Sequence, residues 1–183
     1  MAKNTREAQT IAQPEPADWA AFQPATWDQL PDLGLYMDQV ITYVEQQCRA
    51  LYAQEKFLTP AMVNNYVKSG LVSRPNGKKY SRALLAQLIM ICTLKQALSQ
   101  DEMKKLLKPD ASSESRAVSF PGLAQQIELQ YREFCATQIT VWNLVATRRA
   151  QNSAMQIALE AAASKILCGE KIEQLAHQSS PER

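Results

Sequence analysis

Histidine is almost missing from this chain. His177 is the only one, and it falls near the end of the last helical pattern. A lone histidine without a clustered partner makes a poor metal or acid–base centre and reads as a solvated helix-end residue. Glycine is scarce as well, five in 183 residues, and no G-x-G-x-x-G or P-loop pattern is present to cradle phosphates. A Ser–His–Asp set, a His–Cys pair and paired carboxylates are equally wanting, so the sequence points away from an enzyme and calls for no cofactor and no metal. The four cysteines, Cys48, Cys92, Cys135 and Cys168, lie far apart and form no C-x-x-C pair. Each sits among apolar neighbours at helical spacing, as buried free thiols do. The longest strongly apolar run, "ALLAQLIMICTL" at 83–94, is too short to span a bilayer and reads as a buried helix. The N-terminal stretch carries no apolar h-region of a secretory signal. The expectation is a cytoplasmic protein with no membrane association.

One further absence is local. Residues 56–100 contain Lys56, Lys68, Arg74, Lys78, Lys79, Arg82 and Lys95 and no acidic residue. The net charge of +2 hides this division: residues 1–55 carry −5, residues 56–100 carry +7, and residues 101–183 balance. A charge run is usually a solvated face. Forty-five residues without a carboxylate are instead the electrostatic footprint expected beside phosphates.

What is abundant is alanine, glutamine and leucine, which favours helix. Residues 1–33 hold Pro14, Pro16, Pro24 and Pro31 and read as a mostly irregular arm, whose aromatics Trp19, Phe22 and Trp27 suit packing of its later part. Met37, Val40, Ile41, Val44, Cys48 and Leu51 then fall on one face of a helix over about 38–52. Thr59 as N-cap and Pro60 at the first helical position start a second helix, about 60–69, with Gly70 as its left-handed terminator. Its inward face is Met62, Val63, Tyr66 and Val67, and its outward face is Ala61, Asn64, Asn65, Lys68 and Ser69. Asn76-Gly77 favours a type I′ turn joining two short strands, a basic hairpin wing over 73–81. Ser81 caps a third helix, about 82–97, apolar around much of its girth. Ser99 and Glu102 form a capping box opening a fourth, about 100–108. Residues 109–122 read as a linker, and two long helices follow, about 123–149 and 152–177. Ile127, Tyr131, Phe134, Val141, Trp142 and Val145 make a broad stripe on the first of these, and the second is alanine-rich. The predicted fold class is therefore all-α with a small β-hairpin wing: an arm at 1–33, a helical domain carrying the wing at 34–108, the linker at 109–122, a helical region at 123–178 and a tail at 179–183.

Helix, turn, second helix, basic hairpin and two further helices make a winged helix-turn-helix. The stretches "LTPAMVNNYVKSGLV" (58–72), "GKKYS" (77–81) and "ALSQDEMKKLL" (97–107) resemble the MerR-type DNA-binding domain. Residues of about 30–108, including "LPDLGLYMDQVITYVEQQ", are closer still to DUF1836, a bacterial family that the resemblance describes as MerR-like in fold. MerR-type domains have arginine where Ala61 and Asn64 stand and tyrosine where Asn65 stands. Residues 121–178 do not look like the MerR dimerisation and effector-binding part, and no effector ligand is implied.

The resemblance implies a sequence-specific regulator of transcription that binds double-stranded DNA as a homodimer through its C-terminal helices. Asn64 and Asn65 are the candidate base readers, since an asparagine amide matches the adenine edge. Lys68, Arg74, Lys78, Lys79, Tyr80 and Arg82 are the candidate phosphate contacts. The second reading is a protein-interaction module that uses the same basic surface for an acidic partner, because a fold does not fix its function.

Overall fold

The structure, a computed structural model, describes residues 23–52, 57–107, 120–149 and 152–178. The first part of the expected arm, Lys56, most of the expected linker and the tail lie outside these residues. Six α-helices order the rest: α1 Met37–Cys48, α2 Pro60–Lys68, α3 Arg82–Leu94, α4 Gln100–Leu107, α5 Phe120–Arg149 and α6 Ala154–Gln178. Short 3-10 turns occupy Trp27–Gln29 and Arg49–Leu51. None of the described helices is long and apolar enough to cross a membrane.

The all-round apolar character of α3 decides the packing. Leu84, Leu85, Ala86, Leu88, Ile89, Met90, Ile91 and Cys92 are all buried, so the helix needs cover on more than one side. The helix α1 supplies some of it through Val40, Val44 and Cys48, and α5 supplies more through Ile127, Tyr131 and Cys135. Each fully buried aliphatic side chain contributes about 1.5–3 kcal/mol. The apolar stripe on α5 therefore divides. Its first half closes the core against α3, while Val141 and Val145 remain exposed together with Leu144. The helix α6 reaches the core near its end, where Ile172 is buried against α4 and Lys105 pairs with Glu173. Met155, Leu159, Ile166 and Leu167 on α6 face solvent.

The segment before α1 is held at both ends. Trp27 and Leu30 enter the core. The Ala25 N–H donates to Gln47 Oε1 at 2.8 Å, and Tyr131 donates its hydroxyl to the Ala25 carbonyl at 2.8 Å. The Trp27 and Tyr131 rings lie 6.2 Å apart. At the surface, Arg132 makes two hydrogen bonds with Asp28, at 2.9 and 3.0 Å. The Arg132 guanidinium holds the Asp28 carboxyl below its ordinary range.

The β-hairpin wing is not formed. Among the described residues there are no strands, only the isolated bridges Asn76↔Lys79 and Leu35↔Tyr80. The turn itself is present: the Lys79 N–H donates to the Asn76 carbonyl at 3.3 Å, and Gly77 takes φ 63°. Glycine thus stands first of the two central residues while Lys78 keeps a negative φ, the arrangement of a II′ turn and not of the expected I′ turn. The ladder stops there. Asn76 and Lys79 are the hydrogen-bonded pair, so Pro75 and Tyr80 would face each other without bonds and the next rung would join Arg74 to Ser81. That rung is not made: Ser81 turns into the cap of α3, where its carbonyl accepts the Leu85 N–H at 3.1 Å. The outer edge of Tyr80 pairs with Leu35, giving its N–H to the Leu35 carbonyl at 2.8 Å and receiving the Leu35 N–H at 3.0 Å. The loop closes against the approach to α1 and not against itself.

Two predictions rest on this core. Tyr131→Phe deletes the side-chain donor that ties α5 to Ala25 and should lower the unfolding free energy by about 0.5–1.5 kcal/mol in urea melts, with the helical circular dichroism spectrum unchanged. The thiols give a second. Burial pushes Cys92 up to about 12 and raises Cys48 further, and it raises Cys135 as well; Cys168 is only half-buried. At pH 8 a thiol-disulfide reagent should label one thiol per folded chain quickly and the other three only on unfolding. The unfolded state ionises these thiols first, from about pH 8.5. Their contribution is therefore complete below that pH and is lost as pH rises towards 12, which an alkaline series of urea melts should register.

Candidate nucleic-acid interface

The candidate interface begins with a capped helix. Thr59 Oγ1 accepts the Met62 N–H at 3.3 Å, and Pro60 occupies the first helical position. Leu58 before the cap and Val63 in the fourth helical position are both buried, the spacing of a hydrophobic staple. These contacts fix the direction in which α2 enters. Only Val63 on this short helix is fully buried. Met62, Tyr66 and Val67 are half-buried, and Ala61, Asn64, Asn65 and Lys68 are exposed. The inward and outward faces fall as their spacing predicts except at Ser69, expected outward, which is half-buried.

The chain then turns at Gly70, whose φ of 75° is open to glycine and strained for other residues. The Leu71 and Val72 N–H groups both donate to the Tyr66 carbonyl, at 3.0 and 3.1 Å, and both side chains are buried. The Ser73 N–H donates to Gln87 Oε1 on α3 at 3.1 Å. Gln100 at the start of α4 donates to Ser69 Oγ at 2.7 Å. The end of α2 and the basic loop after it are thereby anchored to α3 and α4, while their side chains at 74 and 76–79 point to solvent.

The basic residues have different fates. Lys68, Arg74 and Lys78 are exposed and have no acidic partner among the described residues. Lys79 is exposed too, with its ammonium 5.6 Å from the centre of the Tyr36 ring. Its stem lies against Gly34, where an added Cβ would meet Lys79 Cβ at 3.0 Å. Arg82 is partly withdrawn: it pairs with Asp32 at 3.3 Å, lies 5.9 Å from the Trp27 ring centre, and keeps its Nε buried without a partner. Tyr80 is 4 % exposed and belongs to the core, where burial raises its hydroxyl above the ordinary range. Lys95 serves the fold. It donates to the Phe57 carbonyl at 2.7 Å and lies 5.1 and 5.5 Å from the centres of the stacked Tyr52 and Phe57 rings. The structure therefore leaves Asn64, Asn65, Lys68, Arg74, Lys78 and Lys79 as the accessible polar and basic surface of this region.

No group of three or more His, Cys, Asp or Glu side chains that could hold a metal occurs among the described residues. What the arrangement offers is an amide-bearing helix face, which can exchange donor and acceptor with a base edge, beside cations free to meet phosphates. Sequence reasoning missed the structural work of Lys95 and the ion pair of Arg82. Their partners lie 38 and 50 residues away, and no local pattern marks them.

Neither a curated protein nor a solved structure matches the chain at a significant level. One family does. The profile of a domain of unknown function, DUF1836, matches residues 25–134, from the backbone group that receives the Tyr131 hydroxyl to the fourth turn of α5. That span takes in α1 to α4 and most of the shared core, and the chain belongs to the DUF1836 family.

Proposed function

We propose that the protein is a sequence-specific regulator that binds double-stranded DNA, with α2 entering the major groove and the loop after it lying on the phosphate backbone. The observation that carries this reading is the unneutralised basic surface around α2: Lys68, Arg74 and Lys78 are exposed without acidic partners among the described residues, and Asn64 and Asn65 stand exposed on the same helix as Lys68. The resemblance of 58–72 to the reading helix of MerR-type domains supports the choice of α2. Lys79 joins the phosphate contacts, and Arg82 contributes to the local field while Asp32 holds it. Tyr80 acts on the loop from inside the core and makes no phosphate contact in this reading.

A symmetric regulator reads two half-sites, and the exposed apolar residues of α5 and α6 support a homodimer. On α6, Met155, Leu159, Ala162 and Ile166 recur at intervals of four, three and four, the seam spacing of a helix pair.

Fluorescence anisotropy on duplex DNA at several salt concentrations tests the first claim. Arg74→Ala with Lys78→Ala should weaken binding to every duplex alike and flatten the slope of log affinity against log salt by about 1–2 units. Asn64→Ala should cost about 1–3 kcal/mol on a site selected from a random pool and little on random DNA. A folded protein with no salt-dependent affinity for duplex DNA would refute the reading and leave an acidic protein as the partner of the same surface. Sedimentation tests assembly. The full chain should be dimeric at micromolar concentration, and Leu159→Glu with Ile166→Glu should make it monomeric without altering its melting in isolation, because both side chains are exposed in the protomer.

A further inference from the structure

The basic loop carries a chemical feature besides its charge. Asn76 and Gly77 are both exposed, and one hydrogen bond, from the Lys79 N–H to the Asn76 carbonyl at 3.3 Å, closes the turn that they begin. No further rung stiffens that turn. Among the described residues the Gly77 N–H and the Asn76 side-chain amide have no hydrogen-bond partner. The backbone nitrogen that follows this asparagine is therefore free, and glycine puts no Cβ in its way.

The other described asparagines differ on this point. Asn64 and Asn65 lie inside α2 and Asn143 inside α5, where the next N–H is engaged in the helical ladder. Asn152 lies between α5 and α6, and the N–H after it, that of Ser153, donates to Gln156 Oε1 at 2.8 Å. The Asn152 side chain is held as well, by Glu160 at 3.1 Å.

We propose that Asn76 is a modification site: its side-chain amide is lost spontaneously in the folded protein, ahead of that of every other described asparagine, and the carboxylate formed loosens the basic surface from phosphates. The Gly77 nitrogen gives up its proton and attacks Asn76 Cγ. The N–Cγ bond forms, the Cγ–Nδ2 bond breaks, and Nδ2 leaves as ammonia with the proton that Gly77 lost. Water then opens the cyclic imide at either carbonyl and leaves aspartate or its β-linked isomer. Amide and water become acid and ammonia, with no oxidant or reductant involved. The neighbouring cations Arg74 and Lys78 favour the amide anion that attacks. The product is the first negative charge within residues 56–100, and it partly neutralises the cations on either side of it. The modification rests on the loop alone, and its effect on binding rests on the DNA reading above.

The test ages the full chain at mildly alkaline pH, folded and in urea, and maps its peptides by mass spectrometry. In the folded chain Asn76 should convert first. Unfolding frees the Ser153 N–H and should speed Asn152 about tenfold, while Asn76, already free, should change less than about threefold. Anisotropy on random duplex DNA reads the consequence. Asn76→Asp should bind about fivefold more weakly, with a salt slope flatter by about 1 unit. Asn76→Gln keeps an amide that closes a ring only slowly; it should bind as the unaltered chain does and hold its affinity on ageing. The proposal is overturned if another described asparagine converts before Asn76, if folding protects Asn76 about tenfold or more, or if Asn76→Asp binds duplex as tightly as the unaltered chain. A chain with no affinity for duplex refutes the DNA reading and the effect on phosphates together, while the peptide map still decides the site of modification.

Discussion

The burial of α3 is the contact on which the rest of the architecture depends. A helix with leucine, isoleucine and methionine around most of its circumference has no face to offer to water. It must be enclosed, and the chain encloses it with elements from both ends of the sequence: α1 from before it and α5 from after it. The two roles of α5 follow. Where it faces α3 it is core, and beyond that contact the same apolar spacing continues into solvent. The exposed stretch on α5 and the parallel one on α6 are the surplus left when one buried helix has taken the cover it needs.

Charge follows a comparable logic. The carboxylates of the segment before α1 do not spread evenly. Asp28 binds Arg132, and Asp32 binds Arg82. These are exposed pairs and add little stability, but they decide which bases are spent. The cations left over belong to α2 and the loop after it, where no carboxylate of the described residues pairs with them. The basic character of this surface therefore arises from where the acids are absent as much as from where the bases are present.

The parts legible in the sequence are those set by neighbours along the chain. Thr59 and Pro60 announce α2, Ser99 and Glu102 close the box that opens α4, with the Ser99 N–H donating to Glu102 Oε2 at 2.7 Å, and Gly70 takes the left-handed backbone its position requires. The periodic apolar residues of α1 and α3 find the core. The β-hairpin failed because Asn76-Gly77 specifies a turn and not a ladder: the next rung, between Arg74 and Ser81, is lost where Ser81 becomes the cap of α3, and the outer edge of Tyr80 pairs with Leu35. The basic surface was visible as composition, but its membership was not, since the engagement of Arg82 and Lys95 depends on tertiary neighbours.

The hydrogen bond between Tyr131 and Ala25 spans 106 residues of chain, and that separation has a consequence for biosynthesis. At about 5–20 residues per second, a ribosome needs roughly 5–20 s to pass from one partner to the other. Throughout that interval Trp27 and Leu30 have been made and the helix that covers them has not. The local helices α1 to α4 can form in the meantime, because their caps and turns lie close at hand. Closing the nascent domain waits for α5 to emerge, so the N-terminal segment, made before α1 to α4, gains its cover from α5 only after all four have been synthesised.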